Sequence, residues 1–259
     1  MRFTVLSLGL LAALPLCSQD SGRHWYLDIH QVKPSLEGHF QGLQDGKDFS
    51  MDLKTDLALE KDKTKVGFGL EYQGPRFGLE VSRDEQDYAG SNVITKRVTI
   101  NGQDWSPATR LNTSVKAITT NFNWTIRALK WPQFWVGVDL GVRAMDLDLV
   151  ASGAVLVLPG TTATVTWRKT LPVPQLGLSV GFNALDGQLV GRGFYHFLSY
   201  SGATYSHVGA DLRYFPITAV GVRAFLNTES FKVPKGSAGQ DADIGLDRTG
   251  SGFGVVVRF

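Results

Sequence analysis

The stretch Phe134-Trp135-Val136-Gly137-Val138-Asp139-Leu140-Gly141-Val142-Arg143 decides the fold class, because its character changes at every residue. The even positions are all apolar, whereas the odd positions carry a tryptophan, two glycines, Asp139 and Arg143. Period two of this kind predicts a β-strand with one apolar and one polar face. Charges in mid-strand, interleaved with glycines, suit a narrow polar lumen crowded by long side chains.

Four further segments alternate in the same way: residues 65–72, 118–127, 207–214 and 220–227. A soluble β-sandwich would also give this pattern, with its apolar faces turned toward a shared core. The mid-strand charges instead favour apolar faces that meet lipid. We therefore expect the all-β fold of a transmembrane antiparallel up-and-down β-barrel, with a secreted soluble β-protein as the alternative.

The turns and the aromatic residues agree with a barrel. Short turns near 74–75, 130–133, 183–187 and 216–218 separate long polar segments at 38–63, 86–112, 151–170 and 233–247. Outer-membrane barrels have such short periplasmic turns, longer extracellular loops and aromatic girdles at both interfaces. The aromatic residues expected in these girdles are Tyr72, Trp131, Phe134, Trp135, Phe182, Tyr214 and Phe215.

The pattern predicts ten strands, and eight strands are the alternative. An even number places both chain ends on the periplasmic side. The segment Val98–Trp105 is expected to form an extra hairpin within the second loop. The ten strands are predicted at residues 24–37, 64–73, 76–85, 113–128, 134–150, 171–184, 188–199, 203–215, 219–232 and 248–259.

The composition excludes several classes of protein. The 259 residues include 26 Lys and Arg against 24 Asp and Glu, which argues against a nucleic-acid binder. One cysteine excludes a disulfide framework and a cysteine zinc cluster. The five histidines lack the close spacing of metal ligands, so we expect neither a metal nor a cofactor.

Residues 1–18 are predicted to be a cleaved signal peptide. Arg2 is the only charged residue before Asp20, and the apolar run from Phe3 to Leu16 is too short to span a bilayer. Cleavage is expected between Cys17 and Gln19; lipidation of Cys17 and a buried N-terminal helix are the alternatives. Because no other long apolar run follows, a membrane-embedded mature chain, residues 19–259, must form a closed barrel as one domain.

The chain ends in Ser-Gly-Phe253-Gly-Val255-Val-Val257-Arg-Phe259, with a terminal aromatic residue after apolar residues at every second position. This end resembles the C-terminal strand of Gram-negative outer-membrane β-barrel proteins. The segments 51–59 and 141–148 look like recurring features of small barrels of this kind. The resemblance implies that the barrel-assembly machinery recognises Phe253, Val255, Val257 and Phe259, and it implies no particular biochemical activity.

Projecting the alternation inward predicts a lumen that mixes acids and bases. Such charges must be paired or hydrated, and a ten-strand barrel is only a little wider than one filled by its own side chains. A salt-bridged network is therefore favoured over a role in solute selectivity. The predicted lumen-lining residues are Lys65, Glu71, Glu80, Asn121, Asn123, Arg127, Asp139, Arg143, His207, Asp211, Arg213 and Arg223.

No combination of residues predicts catalysis. Asp146 and Asp148 invite comparison with omptin-type outer-membrane proteases, but phase counting turns both outward. Ser206 and His207 are neighbours in a strand and point to opposite faces. Asp28 and His30 share a strand face, which favours a hydrogen-bonded pair in the lumen.

We expect a non-enzymatic outer-membrane protein of the cell envelope. It would be a porin-like narrow passive pore, a carrier of an unidentified small ligand, or a structural and surface protein with extracellular loops. Its expected partners are outer-membrane lipid, lipopolysaccharide and, during biogenesis, the barrel-assembly machinery, but no nucleic acid. An outer-membrane barrel enzyme that hydrolyses lipid or peptide is the alternative.

Overall fold

The computed structural model describes residues 23–44, 47–63, 65–95, 97–100, 103–154, 162–236 and 242–259. The predicted signal peptide therefore lies outside the described residues. Among the residues described, no helix has the length and apolar character needed to cross a membrane.

The described chain forms fourteen β-strands. Their bounds are β1 His24–Gln44, β2 Lys47–Asp52, β3 Glu60–Lys63, β4 Val66–Gln73, β5 Phe77–Val93, β6 Val98–Ile100, β7 Gln103–Trp105, β8 Arg110–Lys130, β9 Phe134–Ala154, β10 Thr162–Ala184, β11 Leu189–Tyr200, β12 Ala203–Tyr214, β13 Val220–Val233 and β14 Ala242–Arg258.

Ten of these strands close into an antiparallel barrel. The order round the barrel is β1-β4-β5-β8-β9-β10-β11-β12-β13-β14, and β14 pairs with β1 to complete the ring. The two chain ends meet, since the Trp25 and Phe259 backbones exchange hydrogen bonds of 2.8 and 3.0 Å. The predicted fold class and the count of ten strands are confirmed, and eight strands are excluded. Of the others, β2 pairs antiparallel with the end of β1, β3 pairs with β5, and β6 and β7 form the predicted hairpin.

The strands run farther than predicted at the end of the barrel with the long connecting segments, which is the end expected to be extracellular. Much of the segments expected to be long polar loops is strand, because β1 continues to Gln44, β5 reaches Val93, and β10 and β14 begin at Thr162 and Ala242. Alternation continues there, but its polarity is reversed. On β9, Met145 and Leu147 are buried inside the barrel while Asp146 is exposed outside.

The half of the barrel with the short turns, which is expected to be periplasmic, carries an outward apolar belt, and this belt defines the membrane-spanning part. Ile29, Phe68, Phe122, Leu178 and Val222 exemplify its side chains, which are 40–60 % exposed. The belt ends at the first outward polar residues, which include Arg83, Thr120, Thr228 and Ser251.

Two of the residues expected in the aromatic girdle lie inside the barrel instead. Trp135 and Phe215 are 6 % and 0 % exposed. Adjacent residues of a strand face opposite sides, so each points inward beside an outward neighbour, Phe134 or Tyr214. Tyr72 remains in the girdle, where its ring centroid lies 5.0 Å from that of Trp25 and 5.5 Å from that of Phe77.

The extracellular half contains an apolar core inside the barrel, which we call the mouth core. Inward residues of β8 and β9, such as Leu111 and Leu149, pack there against Leu57 and against Trp105 of the β6–β7 hairpin. Burial of apolar surface from water stabilises this half in the manner of a soluble protein. The segments between strands therefore fold into the barrel mouth as well as over it.

Candidate functional site

A network of charged side chains fills the lumen at the level of the belt. Near the periplasmic end, Arg213 on β12 donates to Asp211 at 2.8 Å and to Glu71 on β4 at 2.5 Å. Arg223 on β13 donates to the same Asp211 and, at 2.6 Å, to Asp28 on β1. Each arginine therefore shares its charge between two carboxylates, as buried charges require.

The second part of the network centres on Arg192 of β11. Its guanidinium donates to Glu80 on β5 at 2.7 Å and to Asp139 on β9 at 3.2 Å. Asp139 is fully buried and also accepts hydrogen bonds from Thr125 at 2.6 Å and Ser179 at 2.9 Å. The carboxylate of Asp139 thus has partners on both of its oxygens.

Histidines join these carboxylates. Nε2 of His196 lies 3.0 Å from Asp139. The two ring nitrogens of His30 lie 2.5 Å from Asp28 and 2.7 Å from Asp84. Glycines make room for these contacts on β4, since a Cβ at Gly69 would lie 2.3 Å from an Asp28 oxygen. The glycines on the polar face are therefore part of how the network fits.

A third part lies just above the belt, where Glu229 meets two arginines. Arg143 on β9 and Arg248 on β14 each approach the Glu229 carboxylate to 2.7 Å, and Tyr205 donates to it at 3.0 Å. Burial alone would raise the pKa of Glu229. The guanidinium charges of Arg143 and then Arg248 outweigh this effect and hold the pKa well below its ordinary value.

The contacts cross the lumen instead of following its wall. Strands β11 and β5, β12 and β4, and β9 and β13 each stand four places apart in a ring of ten, which is nearly opposite. Arg192, Arg213 and Arg143 join these three pairs of strands. The side chains therefore bridge the interior at several heights.

The structure brings most of the predicted lumen residues into this network. They are Glu71, Glu80, Asp139, Arg143, Asp211, Arg213 and Arg223. Asn121, Asn123 and His207 are buried nearby, and the ring centroid of His207 lies 4.8 Å from that of Phe194 in an edge-to-face arrangement. Arg127 lies at the periplasmic end, where it donates to the Gly74 carbonyl at 2.8 Å and covers the Trp135 ring.

Lys65 is the exception, and its predicted place in the lumen is corrected. It precedes β4, and its Nζ lies 3.0 Å from Asp87 and 3.1 Å from Glu85, outside the barrel and above the belt. Lys116 reaches the same Glu85 oxygen at 3.1 Å. Hydrogen bonds from Lys116 and Lys65 lower the pKa of Glu85. Outside the strand, Lys65 is free of the alternation that would have turned it inward.

Sequence reasoning predicted the pairing of Asp28 with His30 in the lumen but missed five other members of the network. Glu229 and Arg248 share the inward phase of Arg223 and Val256 on their strands, so following the alternation along both strands would have found them. Arg192 was harder to find, because its outward neighbours are glycines that give β11 no apolar phase. The other two are Asp84 and His196.

The residues tested for catalysis remain apart. Asp146 and Asp148 face outward, where they accept hydrogen bonds from Thr170 at 2.6 Å and Arg168 at 2.9 Å. Within the described part of the chain, no group of three or more His, Cys, Asp or Glu residues has the arrangement of a metal site. The network is thus a set of acidic and basic side chains that pair with one another in the lumen.

A closed ten-strand barrel with a lipid-facing belt and a polar lumen defines the class: the chain has the fold of a Gram-negative outer-membrane β-barrel. The outer-membrane protease OmpT of Escherichia coli superposes with a TM-score of 0.59 at 10 % identity, over 91 % of this chain and 97 % of that one. Agreement is looser with the translocator domain of the autotransporter NalP from Neisseria meningitidis (TM-score 0.35, 10 % identity, 92 % and 90 % covered). The same holds for the Pseudomonas putida toluene transporter TodX (TM-score 0.31, 7 % identity, 92 % and 90 % covered). No protein-family model and no curated protein sequence matches the chain.

Proposed function

We propose that the protein is a non-enzymatic outer-membrane barrel with a sealed lumen, whose role is structural and whose working surface is its extracellular side. The observation that carries this proposal is the set of arginines that bridge opposite walls, Arg143, Arg192 and Arg213. Of the roles expected from the sequence, a passive pore fits such a lumen least well, since open porins use about 16–18 strands.

Two apolar layers support the same conclusion. Below the charged network, Tyr26, Val190, Phe215 and Val256 pack together across the periplasmic end of the lumen. Above it lies the mouth core. A solute would have to displace all three layers to pass through the barrel.

The geometry favours this role over an enzyme. A hydrolytic site needs a nucleophile or an activated water beside a base, at a place the substrate can reach. The histidine and carboxylate pairs of the network are buried and engaged with one another, whereas the acidic pair Asp146 and Asp148 is bonded outside the barrel. The likeness to OmpT concerns the fold alone.

The biogenesis that this proposal entails follows from the sequence. Residues 1–18 direct export and are removed, and the barrel-assembly machinery recognises the alternate apolar residues of β14. Phe253 and Val255 of that set are exposed on the belt, which is compatible with recognition before the barrel closes.

Single-channel recording in a planar bilayer tests the proposal. The refolded mature chain, with insertion verified by protection from added protease, is expected to be electrically silent. Discrete conductance steps that change in Arg143→Gln would establish an open lumen and overturn the proposal. The surface variant Arg168→Gln is the matched control, because its ion pair with Asp148 lies outside the barrel.

A further inference from the structure

The barrel wall is incompletely paired at one seam. Strand β10 pairs with β9 from Thr162 to Phe182, but it pairs with β11 only from Gly177 to Ala184. Above His196, the partner of Gly177, β11 continues to Tyr200 and pairs with β12 alone. The backbone ladder between β10 and β11 therefore stops partway up the barrel.

The sequence explains why the seam stays open. Pro172 and Pro174 of β10 have no N–H group to donate, and prolines within sheets are confined to edges and bulges. On the other side, the β11–β12 hairpin ends in a tight turn at Ser201 and Gly202, whose φ angles are 47° and 85°. One side of the seam thus lacks donors, and the other side ends early.

A cavity of about 250 Å³ occupies the seam. Its lining includes Pro172 and Pro174, which are exposed on the outside, as well as Val173 and Phe231, which face the interior. Residues from both faces can line one cavity only where it passes through the wall. The lining is almost wholly apolar, and the volume exceeds the roughly 150 Å³ of an apolar cavity that holds benzene.

The opening lies at the extracellular rim of the belt. Below it, Leu176 and Phe197 are exposed apolar residues, and above it Thr170 and Arg168 are exposed polar residues. The opening therefore faces the level where acyl chains meet head groups. From the inside, the cavity borders the mouth core, against which Phe231 packs.

We propose that this seam is a lateral binding site for one acyl chain of a lipid in the extracellular leaflet. The chain enters between β10 and β11 and lies against Val173 and Phe231, while the head group stays outside near Arg168. A lipid supplies the apolar chain at this depth, whereas the mouth core stands between the cavity and the extracellular water. The inference goes beyond the sealed lumen and does not depend on it.

Photo-crosslinking from the membrane tests this site. The mature chain is refolded into phosphatidylethanolamine vesicles containing a phospholipid with a diazirine at the end of one acyl chain, then irradiated and mapped by mass spectrometry. Label is expected on the inward residues Val173 and Phe231. Val115 and Leu111 of β8, which are inward at the mouth core and separated from β10 by β9, are the matched controls and should stay unlabelled.

A second arm uses a free diazirine fatty acid added from water to vesicles without the labelled phospholipid. Inward labelling by the phospholipid supports the proposal. Inward labelling by the fatty acid alone would overturn entry from the leaflet, and absence of inward label in both arms would overturn the site itself.

Two independent variants should abolish the inward label. Val173→Trp fills the cavity, whereas Pro172→Thr with Pro174→Thr restores two N–H donors and lets the ladder extend. Leu178→Trp is the control, because it adds the same side chain to the lipid face of the same strand. Undiminished labelling of Phe231 in either folded seam variant would contradict the proposal.

Discussion

Among single residues, Arg192 gives the clearest prediction, because its guanidinium bonds to two acidic residues on other strands. Replacing it by Gln leaves the fully buried Asp139 and its neighbour Glu80 without their shared cation. Breaking a buried pair in this way costs about 3–5 kcal/mol. We expect Arg192→Gln to lower the free energy of unfolding by that amount, measured by urea unfolding in vesicles.

Arg168→Gln is again the control, because the Arg168–Asp148 pair lies on the surface and contributes only about 0–1 kcal/mol. If both variants lose the same amount, the lumen network does not stabilise the barrel in the way its geometry indicates.

The lowered pKa of Glu229 predicts that the free energy of unfolding depends on pH. Its pKa is lower in the folded protein than in the unfolded chain, so its ionised form stabilises the fold above the ordinary pKa of about 4.3. That contribution is lost as the pH falls toward the lowered pKa. Glu229→Gln should therefore differ from the native chain most at neutral pH, and the difference in unfolding free energy should narrow in acid. A difference that stays constant from neutral pH to pH 3 would contradict this assignment.

Among the elements, the β6–β7 hairpin is held in the barrel mouth chiefly by Trp105, which is 1 % exposed. Trp105→Ala removes a large buried side chain, a change that costs about 3–5 kcal/mol. Because the hairpin pairs only with itself, we expect this loss to appear first as local release. Limited proteolysis should cleave near residues 94–109 while the barrel stays intact.

Trp131→Ala, at an exposed periplasmic turn, should leave the cleavage pattern unchanged. A cleavage pattern in Trp105→Ala identical to that of the native chain would mean that other contacts hold the hairpin in the mouth.

Phe259 follows the last strand and has two roles, closing the barrel through its backbone and, as we propose, signalling assembly through its side chain. Its backbone already closes the barrel through Trp25, and Phe259→Ala keeps both of those hydrogen bonds. Refolding in vitro should therefore be close to normal, whereas assembly in cells, measured as heat-resistant protein in the outer membrane, should fall sharply. Phe182→Ala, which removes an aromatic ring from the same belt, serves as the control. Equal assembly of Phe259→Ala and the native chain would overturn its role as a recognition signal.

How far the elements could be predicted depended on where their apolar faces point. The alternation predicted the ten barrel strands and the inward orientation of Asp211 and Arg213, because lipid lies outside the belt and a polar lumen lies inside it. The polarity of the alternation reverses above the belt, where Met145 and Leu147 are inside. The sequence therefore predicts loops at residues 38–44 and 162–170, where the structure has strand. Leu53, Leu57 and Leu59 lie in a segment predicted to be a polar loop, and only the closed barrel shows that they pack in the mouth core. The seam depends on pairing between strands, for which Pro172 and Pro174 were the one local signal.

For the whole molecule, three layers close the lumen, and two of them, the mouth core and the charged network, can be tested separately. Val93 and Arg110 face each other in the β5–β8 ladder, so a two-residue Asn-Gly turn can replace everything between them. This deletion removes the hairpin from the mouth and leaves the network untouched. We expect the shortened chain to remain electrically silent in a planar bilayer. Conductance in this variant, with none in the native chain, would make the mouth the effective seal.

The reversal of polarity along each wall also means that one barrel unfolds against two solvents. Folding takes the apolar groups of the mouth core out of water, whereas the side chains of the belt remain in contact with hydrocarbon. Exposure of apolar surface to water is what gives unfolding its large positive heat capacity change. The curvature of the unfolding free energy with temperature therefore originates in the extracellular half. Cooling weakens the hydrophobic stabilisation of that half, whereas the belt is surrounded by lipid and does not depend on this stabilisation.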